Sequence, residues 1–239
     1  HVNFAAQHDP RLMPPGYAGR YDPAKIALPG NFAPAHPFDH GNGGGRDEML
    51  LPRPLREEDV RAELACYYAV ISHLDAQIGR VFAALAAAGL ESNTVVVFTS
   101  DQGLALGSHG LLGKQNMYEH TVGVPLLIAG PGLPRGSRSD AQCYLRDLFP
   151  TFCDLADLAI PGTVQGRSLA PVLRGATGQV HPYLVAYFAD TQRMIRDDRW
   201  KLVRYLKVQQ AQLFDLAADP LERVNLAREP AHQAIRDRL

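Results

Sequence analysis

The hydrophobic pattern of the chain predicts one long helix followed by two buried strands. Apolar side chains recur at steps of three and four residues across 55–88, which is the spacing of an amphipathic helix, and Gly89 follows as a stop signal. Residues 94–99 and 125–129 are instead continuous apolar runs. Such runs are typical of strands buried on both faces, as in a parallel sheet. The pattern therefore predicts an α/β fold with a mostly parallel sheet flanked by helices.

The pattern changes near residue 180, where short alternating segments separated by turn residues predict antiparallel strands. These segments are residues 183–187, 192–196, 200–206 and 212–216. A terminal helix is expected from residue 222 onward. We therefore divide the chain into residues 1–179, the carboxy-terminal part of an α/β domain, and residues 180–239, a small antiparallel sheet with a terminal helix.

Three further segments carry weaker patterns. Residues 1–10 predict a short strand and a turn. Residues 11–54, rich in Pro and Gly, predict a long irregular segment that is either a functional loop or poorly ordered. Residues 147–158 predict an amphipathic helix with Leu148 and Phe152 facing inward.

Composition narrows the class of protein. The 239 residues carry a net charge of −1, which gives no basic footprint for nucleic acid. No apolar run approaches the roughly 20 residues that span a bilayer, so no membrane segment is predicted. Three scattered cysteines lack metal-site spacing. The chain has neither an initiating Met nor a leader, and we expect that its native amino terminus is missing.

The strand predicted at residues 94–99 is followed by a sequence with candidate chemistry, Ser100-Asp101-Gln102-Gly103. Ligand sites of open α/β sheets lie at the carboxyl ends of strands. A carboxylate beside a carboxamide offers two hard oxygen donors, which suit Ca²⁺ or Mg²⁺. The alternative is that Asp101 caps the loop that follows it.

Three basic side chains are candidates for contact with an anion. Lys114 follows Gly113 in a Gly-rich loop that also contains His109. His8 follows the short strand predicted at the start of the chain, within residues 1–10. An ammonium group meets an anion as a point charge, and an imidazole can donate or accept a proton near neutral pH. An exposed lysine and a turn histidine are the structural alternatives.

The motifs TSDQG, GSHGLLGKQNMYEH and VPLLIAGPG resemble, in order, the second half of the sulfatase family of the alkaline phosphatase superfamily. The resemblance implies an arylsulfatase-like hydrolase that cleaves a sulfate ester. It implies that Asp101 and Gln102 bind a divalent metal, with Ca²⁺ expected and Mg²⁺ or Mn²⁺ as alternatives. Lys114 and His8 would bind sulfate and assist departure of the alcohol, and His109 would contact the substrate.

Several neighbours of these residues have roles that stay open. The family usually has Asn or His where this chain has Gln102, and the absence of an imidazole there argues against a two-zinc phosphatase site. Arg11 could contact the substrate, and Glu119 could orient Lys114 through an ion pair. Asp47 and Glu48 have no assigned role.

The nucleophile of the family is a formylglycine made in a Cys/Ser-x-Pro-x-Arg motif, which this sequence lacks. The resemblance places that motif, and the remaining metal ligands, in a missing upstream part of the same protein. We therefore expect no sulfatase turnover from this chain alone. Two other functions remain open: a phosphodiester or phosphonate monoester hydrolase of the same superfamily, and a non-catalytic remnant that binds anions or a partner.

Overall fold

The computed structural model describes all residues from His1 to Leu239. They form two compact units, which we describe separately. The amino unit comprises residues 1–94 and 104–114, and the carboxyl unit comprises residues 95–103 and 115–239. The division at residues 179 and 180 stays a prediction.

Helix α1, Glu57–Ala87, is the main element of the amino unit and confirms the helix predicted from the apolar spacing. Three acidic residues occupy its first turn, where they face the positive end of the helix dipole. It ends at Ala87 with Ala88 as its C-cap, and Gly89 follows with φ of +66°. Its buried positions are Val60, Leu64, Ala65, Ala69, Val70 and Leu74.

The core of the amino unit joins α1 to the Gly-rich loop. Leu106 and Leu112 of that loop are buried beside Val60 and Leu64 of the helix. Fully burying one leucine side chain stabilises a fold by about 1.5–3 kcal/mol. Residues 104–114 are therefore anchored by packing, although they contain no helix or strand.

The predicted strand within residues 1–10 is wrong, because this segment forms turns and irregular backbone. Val2 and Phe4 are 57% and 43% exposed. The apolar pattern was correctly identified, but no neighbouring strand pairs with this segment, and an unpaired strand leaves its backbone hydrogen bonds unmade. Residues 11–54 contain only two short 3₁₀ helices, Pro23–Lys25 and Arg46–Met49, and are otherwise irregular.

The carboxyl unit contains the two apolar runs as strands β1, Val96–Thr99, and β2, Leu126–Ala129. They pair with each other in antiparallel orientation, and Phe98 lies opposite Leu127. A mostly parallel sheet is therefore not confirmed, since both sheets of the chain are antiparallel. A continuous apolar run indicates a buried strand but does not specify the direction of its neighbour.

Four further strands form one antiparallel sheet in sequence order, which confirms the strand pattern after residue 180. They are β3, Leu184–Phe188; β4, Gln192–Arg196; β5, Trp200–Tyr205; and β6, Gln210–Asp215. Leu202 and Leu213 of this sheet are buried with Ala227 from the segment that follows β6.

Four short helices complete the carboxyl unit: α2, Glu119–Val122; α3, Leu148–Leu155; α4, Ala170–Leu173; and α5, Gln233–Arg238. The inward face assigned to α3 is partly wrong, because Phe152 is 44% exposed whereas Thr151 and Cys153 are buried. The terminal helix begins at residue 233 rather than 222. None of the helices has the length and apolar character needed to cross a membrane.

Candidate active site

Lys114 and His8, 106 residues apart in sequence, lie in contact within the amino unit. The distance from Lys114 Nζ to His8 Nε2 is 2.8 Å. The other ring nitrogen, Nδ1, lies 2.8 Å from the carbonyl oxygen of Asp9. A carbonyl oxygen only accepts, so Nδ1 carries the proton and Nε2 accepts a hydrogen bond from the Lys114 ammonium. His8 therefore presents Nε2 as a hydrogen-bond acceptor in this arrangement.

A chain of alternating charges continues from this pair. Lys114 Nζ lies 3.3 Å from the Oδ2 atom of Asp47, whose side chain is 6% exposed. Arg46 bridges Asp47 and Asp9, at 2.8 Å and 3.0 Å respectively. The four formal charges cancel, and an ammonium group is held beside an imidazole where an incoming anion could contact both.

Asp47 and its neighbour Glu48, to which the sequence assigned no role, are the residues near Lys114 that sequence reasoning missed. Both residues are buried, at 5% and 1% exposure over the whole residue. An Asp-Glu pair in an irregular segment is ordinarily solvated. Besides the nearby Arg46 and Arg53, its partners here include Lys114 and two amides that lie more than 60 residues away along the chain. No local sequence pattern indicates such contacts. Asp47 and Glu48 stand out only once the fold is known, because carboxylates are rarely fully buried.

Arg11 makes structural contacts within the amino unit, and the substrate contact considered above stays a prediction. Its guanidinium forms an ion pair with Glu63 and lies 5.6 Å from the centre of the Tyr67 ring. The side chain is only 5% exposed, and burial lowers the pKa of the guanidinium. Arg11 therefore ties the segment after His8 to helix α1.

His109 lies in the Gly-rich loop with its ring turned toward Asn31. Its Nε2 atom is 3.0 Å from the Asn31 side-chain nitrogen, and its backbone N–H donates to the Asn31 carbonyl oxygen at 2.8 Å. Its backbone is left-handed, with φ of +53°. These contacts describe a residue that shapes the loop, and its predicted contact with substrate stays a prediction.

Asp101 and Gln102 belong to the carboxyl unit and directly follow β1. Asp101 is exposed and Gln102 is half-buried. The Ser100 hydroxyl donates to the backbone oxygen of Gln102 at 2.9 Å, and the Gly103 N–H donates to the Thr121 carbonyl oxygen at 2.9 Å. Hydrogen bonds at Ser100 and at Gly103 thus hold the backbone before and after Asp101 and Gln102.

The donor chemistry at this strand end fits a hard cation, but it does not make a complete site. A carboxylate and a carboxamide suit Ca²⁺, which takes about 6–8 oxygen ligands. No cluster of three or more His, Cys, Asp or Glu side chains in the chain could hold a metal. Metal binding by Asp101 and Gln102 therefore stays a prediction.

The carboxylate of Glu119 is engaged by two cations within the carboxyl unit, and its ion pair with Lys114, considered from the sequence, stays a prediction. Lys201 Nζ lies 2.9 Å from one carboxylate oxygen and Arg196 Nη1 lies 2.7 Å from the other. Burial raises the pKa of Glu119, but the two cations outweigh that effect and hold the pKa below its usual value.

Comparison with known proteins identifies the family. The sulfatase family profile matches residues 1–158, and the profile of the N-sulphoglucosamine sulphohydrolase C-terminal region matches residues 107–239. A choline-sulfatase of Rhizobium meliloti is 34% identical over 96% of this chain and 46% of its own length. Arylsulfatase K of Xenopus laevis is 33% identical over 80% of this chain and 38% of its own length.

Solved structures agree with these matches. A 2-O GAG sulfatase aligns with a TM-score of 0.71 and 33% identity, over 77% of this chain and 42% of the other. A phosphonate monoester hydrolase from Silicibacter pomeroyi aligns with a TM-score of 0.79 and 28% identity, over 97% of this chain and 52% of the other. The chain spans less than half the length of the curated relatives that it matches. Because the family profile matches about two thirds of the chain, the chain belongs to the sulfatase family.

Proposed function

We propose that the protein hydrolyses a sulfate ester to an alcohol and sulfate, with Lys114 and His8 as its sulfate-binding residues in this chain. The observation that carries the proposal is the 2.8 Å contact between Lys114 Nζ and His8 Nε2. It joins two residues that the sequence resemblance had selected independently. Family membership supports the reaction class.

Lys114 supplies positive charge to the sulfate oxygens and to the oxygen of the departing alcohol. His8 begins as a hydrogen-bond acceptor from Lys114. To protonate a leaving alkoxide from Nε2, it must first take up a proton at that atom. Asp47, 3.3 Å from the ammonium, limits how far Lys114 swings when an anion replaces the His8 contact. His109 is a further candidate for contact with substrate.

Asp101 and Gln102 would hold a divalent cation, with Ca²⁺ expected and Mg²⁺ or Mn²⁺ as alternatives. When bound, such a cation polarises the ester and stabilises negative charge on oxygen. Its remaining ligands and the formylglycine nucleophile would come from the upstream part of the same protein. We therefore expect that the 239-residue chain alone does not hydrolyse aryl sulfates.

A phosphonate monoester hydrolase is the second candidate. It is favoured by the alignment with the Silicibacter pomeroyi enzyme, which covers 97% of this chain. Sulfate and phosphonate monoesters present similar oxygens to an ammonium and an imidazole, so these two side chains alone do not separate the reactions. The ratio of kcat/KM for an aryl sulfate and an aryl phosphonate does separate them.

The deciding experiment isolates the protein from its natural source. Intact mass and peptide mass spectrometry report its length and any formylglycine, and both esters are then assayed. A formylglycine together with preferred hydrolysis of the aryl sulfate supports the proposal. A preference for the phosphonate supports the second candidate. A natural protein with no formylglycine and no hydrolysis of either ester is a non-catalytic remnant.

A further inference from the structure

Glu48 makes an unusual set of contacts for a residue in an irregular segment. Its side chain is 1% exposed. One carboxylate oxygen accepts the N–H of Leu112 at 2.9 Å, and the other accepts the N–H of Gly113 at 2.9 Å. These are the two peptide groups that immediately precede the one at Lys114. A carboxylate that accepts backbone N–H groups in a dry environment makes strong, directional hydrogen bonds.

Arg53 completes the arrangement around the Glu48 carboxylate. Its Nη2 atom lies 2.7 Å from the Glu48 carboxylate and 3.1 Å from the Glu48 backbone oxygen. Its Nη1 atom donates to the carbonyl oxygen of Gly110. Glu48 and Arg53 together therefore hold the loop at Gly110, Leu112 and Gly113. The ion pair also compensates the burial of the Glu48 charge.

This arrangement bears directly on Lys114. A lysine side chain is long and flexible, so the place of its ammonium depends on where its backbone is fixed. Glu48 fixes the backbone just before Lys114, while the adjacent residue, Asp47, approaches the ammonium at 3.3 Å. Consecutive residues thus hold the base and the tip of one side chain. Packing of Leu112 in the core accounts for the general position of the loop, but not for a carboxylate directed at two consecutive N–H groups.

We propose that Glu48 is a positioning residue for Lys114: by accepting the Leu112 and Gly113 N–H groups, it holds the lysine ammonium where it meets the anion. This role rests on the proposed function of Lys114. It also makes a separate claim, that anion binding through Lys114 depends on the Glu48 carboxylate. Glu48 itself does not touch the substrate.

The test compares Glu48→Gln, Lys114→Ala and the double variant, with Glu91→Gln as the control for loss of an exposed glutamate. Inorganic sulfate is titrated into each 239-residue chain, and binding is followed through the backbone amide NMR signals of the loop. Hydrogen exchange of the Leu112 and Gly113 amides is measured on the same samples. Thermal unfolding verifies that each variant is folded.

We expect Glu48→Gln to weaken sulfate binding about tenfold and to speed exchange of the two amides by a similar factor, since one hydrogen bond to a charged group is lost. We expect the double variant to bind no more weakly than Lys114→Ala. If Glu48 acts by positioning Lys114, Glu48→Gln weakens sulfate binding in the wild-type chain but not in Lys114→Ala. A general loss of structure would instead weaken sulfate binding by the same factor in both.

Two results would overturn the proposal in different ways. If Glu48→Gln binds sulfate as tightly as Glu91→Gln while Lys114→Ala does not bind, Lys114 keeps its proposed function and Glu48 has no positioning role. If the wild-type chain does not bind sulfate, or if Lys114→Ala binds it as tightly as wild type, the function proposed for Lys114 fails. The positioning role of Glu48 then fails with it. Should Glu48→Gln not fold, Arg53→Gln decides, because it removes the cation that orients the Glu48 carboxylate. Unchanged sulfate affinity and amide exchange in that variant would also exclude the role.

Discussion

Lys201 is completely buried, and its ammonium lies 2.9 Å from Glu119 and 2.8 Å from Glu222. Glu222 also accepts the backbone N–H of Glu119, at 2.7 Å, at the start of α2. A strand of the four-stranded sheet is thus joined to the short helix after the Gly-rich loop by a dry network of charges. Glu222 is the more deeply buried carboxylate, and burial raises its pKa despite the nearby lysine.

Replacing Lys201 by Met is expected to destabilise the chain strongly. It leaves two carboxylates without their buried cation, and breaking a buried ion pair in this way costs about 3–5 kcal/mol. Urea unfolding measures the loss. Lys207→Met is the matched control, because Lys207 forms an exposed ion pair with Asp190 and should leave the stability nearly unchanged. Similar midpoints for the two variants would contradict the prediction.

Gly103→Ala is expected to disturb the strand end that carries Asp101 and Gln102. A Cβ atom added at Gly103 would overlap the His120 carbonyl oxygen of α2. The atoms that the added Cβ would meet, in His120 and Thr121, are all backbone atoms. The overlap can therefore be removed only by a shift of the backbone, which costs about 1–3 kcal/mol.

Chemical unfolding compares this variant with Gly162→Ala, where an added Cβ meets nothing within 4 Å. Equal stability of the two variants would show that the strand end is less closely fixed to α2 than the structure indicates.

Stability is expected to fall as the pH is lowered from about 6.5 to 4, and His36 is the main cause. Burial lowers the pKa of His36 from 6.5 to about 4. In this interval the unfolded chain takes up a proton that the folded chain excludes, so acid favours unfolding and the loss ends near the folded pKa. The free energy of unfolding should decrease by an amount on the order of 2 kcal/mol.

The measurement is thermal and urea unfolding from pH 7.5 to 4 for wild type and His36→Asn. The variant should show a shallower slope, although a residual slope is expected because burial also lowers the pKa of His40. His73→Asn controls for loss of an imidazole elsewhere in the amino unit and should keep the full slope. An unchanged slope in His36→Asn would assign the pH dependence to other groups.

Arg11→Met is expected to reduce stability without changing sulfate affinity. The substitution leaves the Glu63 carboxylate without its partner beside helix α1, at a cost of about 3 kcal/mol. Lys25→Met, at a lysine that is 83% exposed, serves as the control. Weaker sulfate binding by a folded Arg11→Met would contradict this prediction and support a substrate contact for this arginine.

The sequence was most informative where local pattern determines structure. Helix α1 follows its apolar spacing because the backbone hydrogen bonds of a helix are all local. The four strands after residue 180 follow theirs because each pairs with the next strand through a short turn. The strand end at Asp101 was located for the same reason, since the apolar run of β1 stops there.

Features that depend on distant partners were not predicted. The direction of β2 relative to β1 depends on the path of the connection between them, which the apolar runs do not encode. Residues 1–10 have the composition of a strand but no strand beside them. Glu48 acquires its role from amides 64 and 65 residues away. The contact of Lys114 with His8 was not predicted either; the family resemblance only assigned both residues to sulfate binding.

The sequence order of the four-stranded sheet has a consequence for how the carboxyl unit folds. Each strand reaches its partner by closing a connection of three or four residues, between Leu184 and Asp215. Local pairing of this kind forms rapidly, whereas contacts between distant segments require the closure of long loops. The bond from Glu119 to Glu222 spans 103 residues. We therefore expect the sheet to assemble early and the charged network around Lys201 to close late, so that the strand end bearing Asp101 becomes ordered among the last parts of the unit.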